Sequence, residues 1–465
     1  MEDGRERSMK VRRVLVGGLL CLGWATIGSA TEPQSASPDR DAIERGRIAL
    51  TARSHIQAAW SLDAYKKASR FWPFAAPDPD ADPEGYARAF ERRYGLHPAP
   101  YPNDGLPMGL RLAPRRSGNG MGLTIDCMVC HGGSIGGQSH VGLGNSTLDL
   151  RSLLDDLTRA DDRTVPPSLF TLTTTRGTVN AGQISVALFS LRNPDLSRRA
   201  FPLRLGAWLP ELNTPPWWNL APKRTMYQDG RTDARSHRSL MQFFLDDYEL
   251  QDFQRMEPTF RDIMAYLKSL EPPRYPFPID QARADRGASI FQNRCAKCHG
   301  TYAQDGSVDY PNVLVELDRV GTDRKRAEGI SRKFVEHYNA SWFGEDHQVD
   351  AEMIGYQAPP LRGIWATAPY FHNGVVPTLY HVLNSSSRPD RFRRPESTAF
   401  EQYDTKRVGW LFETVNGPIP NDSHPFDARF TVDTSRFGLD HGGHTFGDAL
   451  SEPERFDLIE YLKTL

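Results

Sequence analysis

Four of the five cysteines in this 465-residue chain fall in two Cys-x-x-Cys-His runs, Cys127, Cys130, His131 and Cys295, Cys298, His299. Two thiols on one turn of chain can add to the two vinyl groups of a porphyrin, and the histidine that follows sits beneath the iron as its proximal ligand. That is the attachment chemistry of a c-type haem. A pair of redox disulfides and a four-cysteine zinc site are the competing chemistries. Neither gives a reason for a histidine in the next position both times, and zinc ribbons bring their cysteine pairs closer together in sequence. The spacing therefore predicts two covalently bound haems, with His131 and His299 as iron ligands.

The sixth position on each iron decides its chemistry, because a second protein ligand closes the iron for electron transfer and a free position admits oxygen or peroxide. The second run is followed by seven histidines, His337, His347, His372, His381, His424, His441 and His444, and by one methionine, Met353. His444 stands out. It follows Gly442-Gly443, which let backbone approach a large flat ligand, and it precedes a terminal helical stretch that can hold it. His372 reads as a supporting residue near a propionate or a backbone carbonyl. For the first iron the nearby candidates are His140, His237, Met226 and Met241, none in a comparable setting. Adjacent Trp217 and Trp218 are the more notable residues there, as a wall of the distal pocket, a path for an electron hole between haems, or core packing.

These residues lie in a repeated framework. The segment Asp262 to Leu270 is echoed by Asp457 to Leu465, both amphipathic with apolar residues at i, i+3 and i+4. Pro215 to Gly230 aligns without a gap on Pro359 to Gly374, so Trp217-Trp218 correspond to Leu361-Arg362 and Gln228 to His372. Two echoes in the same order as the haem runs predict an internal duplication. Helices are expected at Asp41 to Ser54 and Asp280 to Asn293, and Gly287 would permit a close helix crossing. The Pro-rich stretch 272–278 is the expected boundary. The expected fold is mainly α, two tandem cytochrome c-like domains at 31–275 and 276–465 with long loops. Some seventy residues inserted before Cys127 are expected to cover the first haem or the domain junction.

Residues 1–30 carry Arg5, Arg7, Lys10, Arg12 and Arg13, then an apolar stretch from Val14 to Ile27 and Gly28-Ser29-Ala30, the three regions of a secretory signal. Removing them takes five basic and three acidic side chains, so the formal charge moves from −2 to −4. No basic stripe points to nucleic acid, and no later apolar stretch is of spanning length. A soluble periplasmic or secreted product with no membrane contact in its mature form is expected. Cys21, inside this segment, has no assigned role.

The stretch Gly355-Tyr356-Gln357-Ala358-Pro359-Pro360-Leu361-Arg362-Gly363-Ile364-Trp365-Ala366-Thr367-Ala368-Pro369-Tyr370-Phe371-His372-Asn373-Gly374, with Gly442-Gly443-His444 further on, resembles the di-haem cytochromes related to bacterial rubber oxygenase, a branch of the di-haem cytochrome c peroxidase superfamily. The resemblance spans roughly residues 100–465. It implies an open, dioxygen-binding N-terminal haem beside an aromatic pair matching Trp217 and Trp218, and a C-terminal haem closed by His299 and His444. A methionine or tyrosine found in other branches falls near Ser386 here and is missing. The chain also looks shorter than the rubber oxygenases, so polyisoprene is not carried over as substrate. The expected function is an exported di-haem oxidoreductase, acting on a small molecule or a redox partner protein. A plain periplasmic electron carrier and a di-haem cytochrome c peroxidase are the alternatives.

Overall fold

The computed structural model describes residues 39–465 apart from 117, 166–172, 353 and 420–424. The signal segment with Cys21, and the candidates Met353 and His424, lie outside the described residues. Two helix pairs organise the rest. An opening helix, Arg40–Ala52, starts on Asp39, whose carboxylate caps the amides of Asp41 and Ala42, and crosses the helix Leu250–Ser269. The helix Gln281–Arg294 is capped in the same way by Asp280 and crosses the C-terminal helix Glu452–Leu462.

Both crossings have the same construction. A Cβ on Gly46 would overlap the carbonyl of Asp262, and one on Gly287 the carbonyl of Asp457, so only glycine lets the backbones meet. Beside each glycine an arginine forks onto the same aspartate. Arg45 bonds Asp262 at 2.7 and 3.0 Å, and Arg286 bonds Asp457 at 2.7 and 3.1 Å. Helix Leu250–Ser269 runs well upstream of the segment picked out by its sequence echo, and it ends just before Pro272-Pro273.

The expectation of a mainly α fold is corrected: the chain is mixed, 39% helix and 14% strand. The strands come from the Gly- and Pro-rich connections, whose backbone groups must find partners when they pass over a core. They pair locally, mostly as two-stranded ribbons. Leu110–Pro114 runs antiparallel to Met121–Ile125, and Gly132–Ile135 to Gln138–Val141 directly after the first haem run. A three-stranded sheet has Arg391–Arg393 at its centre.

The insertion before Cys127 carries its own core, in which Trp72, Tyr86, Phe90 and Tyr94 stack and tilt against one another. It touches the C-terminal half through Arg92 to Glu396 at 3.1 Å and Phe74 edge-on to Phe426. Behind that contact Asp149, fully buried, holds Arg429 at 2.8 Å. Residues 39–465 thus form one compact unit. Among the described residues no helix is long and apolar enough to cross a membrane.

Candidate haem sites

Each Cys-x-x-Cys-His run is a single helical turn, Met128–His131 in the first and Ala296–His299 in the second. All four cysteines are free thiols. Burial pushes Cys127 and Cys130 up to about 12 and Cys295 up to about 11, the opposite direction from the lowered thiol of a redox pair. Among the described residues no three His, Cys, Asp or Glu side chains converge, so the zinc alternative has no ligand cage. The two sulfurs of each run abut different apolar clusters. Cys127 packs on the main N-terminal core and Cys130 on the insertion core, while Cys295 packs on the main C-terminal core and Cys298 on a smaller cluster around Val315 and Tyr356. A flat apolar macrocycle bonded to both sulfurs of a run would bridge two such clusters.

The second site has a defined axis. His299 Nδ1 faces the Pro359 carbonyl at 2.8 Å, which leaves Nε2 as the donor to a metal. The His444 ring stands opposite, 6.3 Å from the His299 ring centre to centre. Two imidazoles on opposite sides of one metal, with metal–nitrogen bonds of about 2.0–2.1 Å, have ring centres roughly 6.4 Å apart. The observed spacing fits. Phe371 and Phe446 flank His444 at 5.9 and 5.1 Å. Burial first, then the nearby His299 and Arg388, lowers the His444 pKa to about 4, so the ring is neutral and able to ligate at neutral pH. The residue itself is left-handed, φ 47°, and its amide donates to the Val320 carbonyl at 2.6 Å. Gly443 packs so closely on Gly321 and Thr322 that a side chain there would displace the strap.

The first site is built differently. His131 Nδ1 lies toward the Pro215 carbonyl without reaching hydrogen-bond geometry, and burial lowers its pKa to about 3. Trp217 stacks on the ring at 4.3 Å and 17°. It is held there because Gly142 N donates to the His131 carbonyl and Trp217 N to the Gly142 carbonyl, both at 2.8 Å. Trp217 thus lies against the ring of His131, the candidate iron ligand of this run. Trp218 is buried, and its Nε1 donates to the Arg362 carbonyl at 2.8 Å while Arg362 Nη1 donates to the Trp218 carbonyl at 3.1 Å.

That exchange belongs to a wider reciprocity. Trp218 and Arg362 are equivalent positions in the sequence echo, as are Asn213 and Gln357. The Asn213 amide donates to the His372 carbonyl at 2.9 Å, and the Gln357 amide to the Gln228 carbonyl at 2.8 Å. Equivalent Tyr227 and Phe371 are both left-handed, at 65° and 68°. The two segments face each other about a local approximate two-fold axis, with Trp218 and Arg362 across it.

The remaining candidates are engaged elsewhere. His237 pairs with Glu257 at 2.9 Å, His337 faces the Phe189 carbonyl, His347 faces Asp233 and Asp346, His381 bonds Thr378, and His441 lies at 3.2 Å from Asp390. Met226 and Met241 are buried in the N-terminal core. His140 is partly buried on a ribbon strand. His372 stacks on Tyr356 at 4.2 Å with its Nε2 buried and unpartnered, as a supporting residue awaiting an acceptor would be. Ser386 is exposed and bonds Asn384, so that segment supplies no ligand. Sequence reasoning missed Arg388 and the two proline carbonyls, which carry no recognisable motif of their own.

Residues 355–393 match the family model "RoxA-like, cytochrome c-like". A cytochrome c-like domain is therefore present and implies covalently bound haem. Two uncharacterized proteins of Sinorhizobium fredii (strain NBRC 101917 / NGR234) are similar to parts of the chain. One, y4iM, is 31% identical over 242 residues, covering 43% of this chain and 52% of the relative. The other, y4iJ, is 27% identical over 262 residues, covering 42% and 41%. The chain thus spans about half the length of these relatives, or less.

Proposed function

We propose that this chain is an exported di-haem c-type cytochrome that acts as an oxidoreductase, with an N-terminal haem open to oxygen or peroxide and a C-terminal haem closed by His299 and His444. The observation that carries this reading is the inequality of the two sites: His444 stands 6.3 Å from His299 ring to ring, whereas among the described residues no histidine ring pairs with that of His131, on which Trp217 stacks at 4.3 Å. Haem bound at both runs supplies one-electron chemistry and, where a coordination position is free, binding of dioxygen or peroxide.

The protein's own residues divide the labour. Cys127, Cys130, Cys295 and Cys298 anchor the two macrocycles. The Pro359 carbonyl fixes the orientation of His299, and Trp217 with the Pro215 backbone orients His131. Trp217 and Trp218 form the contiguous path from His131 to Arg362 in the second unit, so we assign them to electron passage between the haems. The repeated crossings and reciprocal hydrogen bonds support an origin by duplication, with domains at 31–275 and 276–465 that differentiated at Trp217-Trp218 and at His444.

Carbon monoxide binding to the reduced, haem-loaded protein tests the reading. One haem in two is expected to bind it and to carry a high-spin signal when oxidised. Two low-spin haems with no carbon monoxide response would leave a plain electron carrier.

A further inference from the structure

The strap that carries His444 is held by a residue outside every motif discussed so far. Arg388 is 8% exposed, yet none of the described carboxylates forms an ion pair with it. Its guanidinium is spent on backbone carbonyls. Nε donates to His381 at 2.8 Å and Nη2 to Val382 at 3.3 Å, anchoring it to one short helix. On the strap, Nη1 donates to His441 and Gly443, both at 2.7 Å, and Nη2 to His444 at 3.4 Å. The plane lies over Phe371, 4.8 Å from the ring centre, and Phe371 in turn flanks the His444 ring.

Three consecutive features of the strap need such a clamp. Gly443 and His444 are both left-handed, at 72° and 47°, and a histidine there is strained by about 1 kcal/mol or more unless its surroundings hold it. Carbonyls at 441, 443 and 444 all point to one side, where only a donor-rich planar group satisfies them together. Lysine has no fork and cannot replace arginine in that geometry. The positive charge is buried beside one imidazole of the second site, and the carboxylates of Asp448 and Asp440 act on it.

We propose that Arg388 is the positioning residue of the C-terminal haem: it locks the left-handed strap so that His444 opposes His299, and its buried charge, in no direct ion pair with a described carboxylate, favours the reduced state of that iron. This rests on the reading of His444 as the sixth ligand. A positive charge close to an iron centre stabilises the form with one electron more, so its removal lowers the reduction potential.

The test uses the haem-loaded full chain and three variants, His444→Ala, Arg388→Gln and Arg388→Lys. The absorption and electron paramagnetic resonance features that His444→Ala moves from low spin to high spin identify the C-terminal haem. Arg388→Gln is expected to produce a mixed-spin population in those same features, to let the reduced C-terminal haem bind carbon monoxide, and to lower its midpoint potential. Arg388→Lys keeps the charge but not the fork, so the potential stays near that of the parent while carbon monoxide binding still appears. A Gln variant with parental spin state and potential, alongside a responsive His444→Ala, overturns the Arg388 assignment and leaves the ligand reading standing. An unresponsive His444→Ala overturns both. Should the Gln variant not accumulate, the Lys variant alone decides, since an unchanged carbon monoxide response in it removes the clamp.

Discussion

Individual histidines in this protein differ by what their second nitrogen meets. His299 has a carbonyl 2.8 Å from Nδ1, His381 a threonine hydroxyl and His237 a carboxylate, whereas His372 is buried with Nε2 unpartnered. Burial, reinforced by Arg326, depresses the His372 pKa to about 3, below the value of about 6.5 it has when unfolded. Between those values the unfolded chain binds a proton that the folded chain does not. The contribution is therefore fully present above pH 6.5 and is lost as pH falls toward 3. Replacing His372 by Gln, the residue found at the equivalent position 228, removes that proton. Denaturant titrations at pH 7, 6, 5 and 4 should show a stability slope shallower by up to one proton, about 1.4 kcal/mol per pH unit. An unchanged slope would mean that His372 is protonated in the fold.

Helix crossings show how a single hydrogen in place of a methyl group sets an element's position. Gly46 and Gly287 sit where the partner helix backbone arrives, and the arginine next to each bonds the aspartate whose carbonyl touches the glycine. Gly287→Ala must push Gln281–Arg294 away from Glu452–Leu462 and loosen the fork between Arg286 and Asp457. A loss of about 1–3 kcal/mol is expected in equilibrium unfolding, the usual cost of overpacking. Asp149 works at the junction between halves, where Arg429 is at 2.8 Å and Arg93 at 3.6 Å. Asp149→Ala leaves the buried Arg429 guanidinium without its carboxylate, while Arg93 keeps Asp156 at 2.8 Å, and a loss of about 3–5 kcal/mol is expected. Thermal melts of the two variants should rank Asp149→Ala as the more damaging.

At the scale of the whole molecule, the halves interlock too closely to be independent. Trp218 and Arg362 exchange hydrogen bonds, Asn213 and Gln357 do the same through Gln228 and His372, and Arg394 reaches the carbonyls of Ser146 and Arg176. Such bonds from side chains and backbone amides to backbone carbonyls bury groups that would be unsatisfied if the halves parted. Calorimetry of the haem-loaded protein should therefore give a single unfolding transition. Two resolved transitions would show that the domains fold separately and that the shared interface contributes little.

The Cys-x-x-Cys-His runs, the closing helices and the echoed Pro-Pro to Gly segment were legible in the sequence, because each depends on residue types at short spacing. The attachment turn needs three side chains within five residues, and a helix face needs one periodicity. Other features depend on parts of the chain far apart in sequence. The ribbons that make the fold mixed form wherever a long connection passes over a core, and periodicity does not reveal that pairing. Trp217 lies on His131 because two backbone hydrogen bonds through Gly142 bring residues 131 and 217 together, a contact that spacing in the sequence does not reveal. Arg388 gave no signal, since an arginine among serines reads as surface until the carbonyls of residues 381, 382, 441, 443 and 444 are seen to close around it. The sequence by itself determined the two attachment motifs and the residues within them; tertiary structure decided which side chains stand opposite one another, because opposition is a distance between segments that only packing brings into register.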